Sequence, residues 1–247
     1  MKLKNFTTTT MIAVTVLTFA ACKKNSVSPT KPQMSFQLKA DNTTSTLAVS
    51  PGTNHLLTNS QSAGIAGLTF ISGTANIAKF KLRAKKNGTE IEITSKNLNN
   101  VDLFALNPSI VGVTLDTGTY KEIEVRVMLQ KTADTSTLPL KLKGTFTNSG
   151  GTVIPFEVDL NDDATIKAEA DNITVSSSTD FTVLVTMHLN LLLTGLSAAD
   201  FESAVLTNGN IVISNSSNTS IYNQILSNLS SCGHGEFSEH HHDGSDH

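Results

Sequence analysis

With 247 residues, 38% hydrophobic side chains, 5% aromatics and no tryptophan, the chain can form one large β domain or two small ones, its core built from Val, Ile, Leu and eleven Phe. A formal charge of −3, with only Arg83 and Arg126 as arginines, argues against nucleic acid as a partner, because phosphate binding needs a concentrated positive field.

At the N-terminus, Lys2 and Lys4 precede an apolar stretch from Met11 to Ala21, which is the order of a secretory signal. About eleven apolar residues cannot span a ~30 Å hydrocarbon layer as a helix, so cleavage is expected rather than a retained span. Leu17-Thr18-Phe19-Ala20-Ala21-Cys22 resembles a lipobox, with Phe19 where leucine is usual. Bacteroidota-type bacteria tolerate that substitution, so the resemblance implies a signal peptide over 1–21 and a lipid on Cys22. Ordinary cleavage after Ala20 or Ala21 is the competing reading. By the same resemblance, Lys23 and Lys24 after the cysteine point to a cell-envelope lipoprotein at the outer membrane, facing the periplasm. Loss of Lys2 and Lys4 takes the net charge from −3 to −5 and, with Cys22 lipidated, leaves Cys232 as the remaining thiol, without an intramolecular partner.

Residues 22–33 are polar with two prolines and read as a tether of at most roughly 35 Å. Met34–Ala40 alternates as a first strand, and Asp41–Ser62 is a Thr/Ser/Asn-rich connection holding Pro51 and His55. Phe80–Ala84 alternates, Asn87-Gly88 supplies a hairpin turn because both positions need φ > 0, and Ile91 and Ile93 continue beyond it. A short strand is predicted at Val101–Leu106, and Ile123, Val125, Val127 and Leu129 form one apolar face. A second hairpin runs from Leu138 to Phe146, turns at Asn148–Gly151 and returns through Ile154, Phe156, Val158 and Leu160. Strands are also predicted at Thr165–Ala170 and along Phe181, Val183, Val185, Met187 and Leu189. Ser197 is placed as the cap of a short helix with Asp200 three residues on, Ile211–Ile213 returns to strand, and Thr219 is placed as the cap of a last helix carrying Ile221, Tyr222, Ile225, Leu226 and Leu229. Period-two alternation predicts a mainly β fold, an antiparallel β-sandwich over 34–230 with one or two short C-terminal helices.

The segments Val101-Asp102-Leu103-Phe104-Ala105-Leu106 and Val113-Thr114-Leu115-Asp116-Thr117-Gly118-Thr119-Tyr120 resemble those of uncharacterised bacterial lipoproteins with a transthyretin-like sandwich; Phe156–Asn161 is similar too. That resemblance, over about residues 64–190, implies a transthyretin- or immunoglobulin-like fold and an envelope address, with Gly118 turning the chain and Tyr120 seating a ring at a strand start. It implies no activity and carries no functional residue.

Chemistry concentrates in a stretch read as a disordered tail, 231–247, which holds Cys232, His234, His240, His241, His242 and His247 with four acids. Imidazole and thiolate suit Zn, Cu and Ni, and the glycines let them converge on an adaptable site. A solvated tail without a ligand and a pH-responsive patch are the competing readings. Asp159, Asn161 and Asp163 open like a calcium loop, but Ala164 and Ala170 stand where Gly and Glu are required. His188 is expected on a strand face, partly exposed. No nucleophile elbow, zinc-protease helix or phosphate loop occurs, so an enzyme is not expected. Two functions are carried forward. The first is a non-enzymatic binding lipoprotein whose histidines take up divalent transition metal. The second is a structural or adhesive module that engages a polysaccharide or an envelope protein, with the tail inert.

Overall fold

Alternating apolar and polar side chains over most of the chain become β-strands in the computed structural model, which describes residues 31–48 and 65–241. The expected signal peptide, Cys22, His55, His242 and His247 lie outside the described residues. In chain order the strands are β1 (Gln33–Asp41), β2 (Thr44–Thr46), β3 (Gly67–Lys86), β4 (Thr89–Thr94), β5 (Leu98–Asp102), β6 (Val111–Thr114), β7 (Gly118–Leu129), β8 (Leu140–Thr147), β9 (Val153–Leu160), β10 (Ala164–Ala170), β11 (Ile173–Val175) and β12 (Thr179–His188). There follow α1 (Leu189–Leu192), α2 (Ala198–Glu202), β13 (Leu206–Thr207), β14 (Asn210–Ser214), α3 (Thr219–Asn228) and β15 (Gly233–His241).

Two sheets form. The smaller has the order β15-β12-β1-β6; the larger runs β10-β7-β3-β8-β9-β14-β13, with β2, β4 and β5 also on β3 and β11 on β7. The long strand β3 is the spine of the larger sheet, and shifts of register at Phe70/Ser72, Ile77/Lys79 and Arg83/Lys85 let it bend through partners on both edges. Inward side chains of the two sheets interlock: Met34, Phe36 and Leu38 of β1, and Phe181, Val183, Val185 and Met187 of β12, are buried in one core with Phe80, Leu82, Val125 and Val127. Phe36 and Phe80 stack with ring centroids 5.2 Å apart. The ring of Phe201 in α2 lies 5.4 Å from that of Phe146 in β8, and α3 adds Ile221, Tyr222 and Ile225 to the core.

The hairpins predicted from local signals are present. Asn87 and Gly88 take φ of 52° and 81° between β3 and β4, and β8 pairs antiparallel with β9. Ser197 caps α2: its backbone N–H donates to Asp200 Oδ2 at 2.8 Å and its hydroxyl donates to the same oxygen at 2.7 Å.

Several expectations are corrected. The sheets are mixed rather than antiparallel, since β1 runs parallel to β12 and β14 parallel to β9. The chain between each such pair is long enough for the crossover that a parallel pair requires. Three short α-helices and one 3-10 turn, Leu229–Ser231, are present among the described residues, where one or two helices were expected. The cap of α3 is Asn218 in a left-handed conformation, φ 51°, and Thr219 is already helical. Asn218 holds that turn by accepting from Val205 N at 2.8 Å and donating to Val212 O at 2.8 Å. β5 ends at Asp102, so Val101–Leu106 is mostly turn, and Leu106 is 98% exposed. The tether does not extend to residue 33, because Gln33 opens β1 and Leu115 N donates to Pro32 O at 2.8 Å.

The largest correction concerns the C-terminal segment. Gly233–His241 is not a disordered tail but an edge strand, antiparallel to β12 over nine register pairs from Met187↔Gly233 to Thr179↔His241. Gly233 permits this, because a Cβ there would lie 2.4 Å from Lys167 O of β10. Phe237 packs against the core from the inward face, so the strand covers what would be an open edge of β12.

Candidate functional site

Strand alternation sets His188, His234 and His240 on the face of the smaller sheet that looks away from its core. On β12 the inward side chains end at Met187, and His188 points to the outer face with 27% of its side chain exposed. In the parallel register of β1 with β12, Asp41 is its direct neighbour, and the two meet: His188 Nδ1 lies 2.6 Å from Asp41 Oδ1. The carboxylate can only accept, so Nδ1 is the donor of this bond, and in the neutral form of the ring Nε2 is left with the lone pair. Asn42, in a left-handed conformation with φ 50°, brings its Nδ2 to 3.4 Å from the same Nδ1.

β15 adds the second imidazole. Its glycines face inward, which turns His234 outward opposite Thr186, itself only 4% exposed. The His188 backbone N–H donates to Cys232 O at 2.8 Å, fixing the start of β15 against the end of β12. As a result the rings of His188 and His234 lie nearly parallel, with centroids 6.1 Å apart and planes 26° from one another. Glu236 Oε1 lies 3.9 Å from His234 Nε2. Further along the same strand, His240 Nε2 is 3.2 Å from Thr182 Oγ1, and His241 Nε2 is 3.8 Å from Glu239 Oε2.

The thiol does not join them. Cys232 is buried, its Sγ donates to Leu229 O at 3.2 Å, and burial pushes the thiol up to about 12. It therefore stays protonated at neutral pH, whereas a metal ligand must be thiolate. Its place in the core sets Cys232 apart from the exposed histidines with which the sequence grouped it as a ligand. Among the described residues, no three His, Cys, Asp or Glu side chains converge to hold an ion.

The calcium-like triplet is dispersed. Asp159 pairs with Lys141 at 2.8 Å on an outer face, Asn161 Oδ1 accepts from Thr132 N at 3.0 Å, and Asp163 Oδ1 accepts from Lys131 N at 2.7 Å. Between them Asp162 Oδ2 accepts from the Tyr222 hydroxyl at 2.6 Å; burial and that carboxylate push the phenol up to about 12. These acids tie a loop and α3 to the β9–β10 turn.

On the outer face of the larger sheet, two lysines in the basic row of β3 are paired with acids of neighbouring strands. Lys81 pairs with Glu92 at 2.9 Å and Lys85 with Glu122 at 2.6 Å, beside an Arg126–Glu124 pair. Nearby, Asn97, Asn99, Asn100, Gln130 and Thr137 line a shallow uncharged groove. Asn76 in its floor is committed to structure, donating to Leu138 O at 2.8 Å and accepting from Asn100 N at 2.9 Å.

Sequence reasoning placed His188 and His234 separately but missed their proximity and missed Asp41, since Asp41 and His188 are 147 positions apart. The signal that could have joined them is that Asp41 and His188 each end an alternating run. No helix among the described residues is long and apolar enough to cross a membrane. No protein-family model, no curated protein and no solved structure matches the chain.

Proposed function

We propose that this protein is a non-enzymatic cell-envelope lipoprotein, anchored through Cys22, whose β-sandwich is a binding module that takes up divalent transition metal on its C-terminal histidines. The observation that carries this reading is the exposure of those histidines on an edge strand: His234 and His241 keep 57% and 65% of their side chains in solvent. Imidazoles that serve packing are covered; these stay in solvent, each within 4 Å of a carboxylate, Glu236 for His234 and Glu239 for His241. A transthyretin- or immunoglobulin-like sandwich is supported by Tyr120, which is 1% exposed at the start of β7 and donates its hydroxyl to Asp116 O at 2.6 Å. That bond back to the preceding turn is the geometry of a tyrosine corner.

The test is calorimetric titration of the full chain with Zn(II), Cu(II) and Ni(II), compared with a variant in which His234, His240, His241, His242 and His247 are all alanine. Removing residues 231–247 outright is the wrong comparison, because it also deletes β15. Saturable uptake by the parent and its loss in the variant are expected; equal uptake by both would refute the reading.

The uncharged groove of Asn97, Asn99, Asn100 and Gln130 favours a second reading, a surface module that binds a neutral polysaccharide through amide hydrogen bonds with the C-terminal histidines inert. Glycan binding that is lost in Asn99→Ala and unchanged in the five-histidine variant would favour it.

A further inference from the structure

We infer that His188 and His234 form a two-nitrogen site for one Cu(II) or Zn(II) ion, with Asp41 as the positioning residue. The inference rests on the metal-binding reading above and relocates its tightest site from the C-terminal end to the rigid face of the smaller sheet.

Three structural features carry it. First, the rings are already neighbours: their centroids are 6.1 Å apart. An ion held by two imidazole nitrogens at about 2.0–2.1 Å sets ring centroids roughly 5–6 Å apart, so modest rotation of two partly exposed side chains completes the geometry. Second, His188 is oriented as a ligand. Its Nδ1 is bonded to Asp41 at 2.6 Å, which fixes the tautomer with the lone pair on Nε2. A carboxylate behind a histidine is the recurrent outer partner of metal-bound imidazole, raising its basicity and holding its ring. Third, the backbone under the pair is regular sheet: His188 N is bonded to Cys232 O, and His234 registers on Thr186. Little conformational entropy is then lost on binding, in contrast to ligands on a free chain.

The electrostatics are favourable. Asp41 and Glu236 flank the two rings with negative charge, while Lys39 lies on the same face two positions before Asp41. Two protein nitrogens leave open positions for water or for a small anionic ligand that accompanies the ion. Softness selects Cu(II) and Zn(II) over Mg(II) or Ca(II), which prefer oxygen.

The test is titration of the full chain in detergent with Cu(II) and Zn(II) salts, read by calorimetry and by the nitrogen splitting in the Cu(II) EPR spectrum. The variant with His240, His241, His242 and His247 all changed to alanine is expected to keep a one-ion site with two-nitrogen splitting and parent affinity. His188→Ala and His234→Ala are each expected to lose at least tenfold in affinity and one nitrogen from the spectrum. Asp41→Asn, which keeps both nitrogens, is expected to weaken binding by about 10- to 100-fold with the nitrogen count unchanged. His234 is more than half exposed, so its variant retains the fold even where His188→Ala does not, and circular dichroism checks both. Retention of the site in His188→Ala with its loss in the four-histidine variant overturns the inference and leaves the metal reading standing. Equal losses in both also overturn it. No saturable uptake by the parent overturns both.

Discussion

Single side chains in this molecule hold corners and cover groups that would otherwise titrate. Tyr120 donates its hydroxyl to Asp116 O at 2.6 Å while its ring is buried, so Tyr120→Phe is expected to cost about 1 kcal/mol, read as a lower urea midpoint with an unchanged m-value. Cys232 and Tyr222 share a different property. Both are pushed up to about 12 in the folded chain, from ordinary values of 9.0 and 10.0. Between roughly pH 9 and 12 the unfolded chain releases these protons and the folded chain holds them, so fewer protons are bound on unfolding and stability falls as pH rises. Their contribution is whole below about pH 9, and a urea midpoint that does not decline from pH 9 to 11 would contradict it. The same burial predicts that Cys232 resists a thiol reagent at pH 8 in the folded chain and reacts on denaturation in urea. Rapid labelling of the native protein would show an accessible thiol.

At the scale of elements, β15 is the strand with the most at stake. The amides of β15 that bond to β12, every second one over Gly233–His241, are expected to be protected from exchange with deuterium, whereas a free tail exchanges within seconds. Gly233→Ala sets a Cβ 2.4 Å from Lys167 O, so it is expected to detach the start of β15 from β10, speeding exchange there and lowering stability by about 1–3 kcal/mol. Elements with local signals were legible in the residues alone: the Asn87-Gly88 hairpin, the β8–β9 hairpin, the face of β12 and the Ser197 cap. β15 was not, because Gly, His, Glu and Ser have little intrinsic preference for strands and alternate no obvious apolar face. What makes it a strand is the open edge of β12, some fifty positions earlier, together with Phe237 pointing inward. β6 and β11, short and flanked by turns, were missed for a similar reason. The parallel pairing of β1 with β12, and with it the meeting of Asp41 and His188, depends on register between segments 147 positions apart, which no local pattern carries. Cys232 is the unpaired thiol that the count of cysteines implies, but its burial after Leu229 was not legible, because its polar neighbours grouped it with the exposed histidines.

For the whole molecule, the anchor proposed at Cys22 predicts that mass spectrometry of the membrane-extracted protein finds a diacyl- or triacyl-modified cysteine as the first residue. An unmodified start at Ala21 or Cys22 would refute it. The strand directions of the smaller sheet then give the particle a polarity. β1 and β12 run the same way and β15 runs against them, with Met34 level with Phe181 and Thr179 level with His241. The chain therefore enters at Gln33 and leaves at His241 from one pole, two strand spacings apart, or about 10 Å. Asp41, His188 and His234 lie at the other pole, about 25 Å away along the strands. His240 and His241 at the one pole and the His188–His234 pair near the other are therefore too far apart to share a single ion, so each end would take up metal on its own.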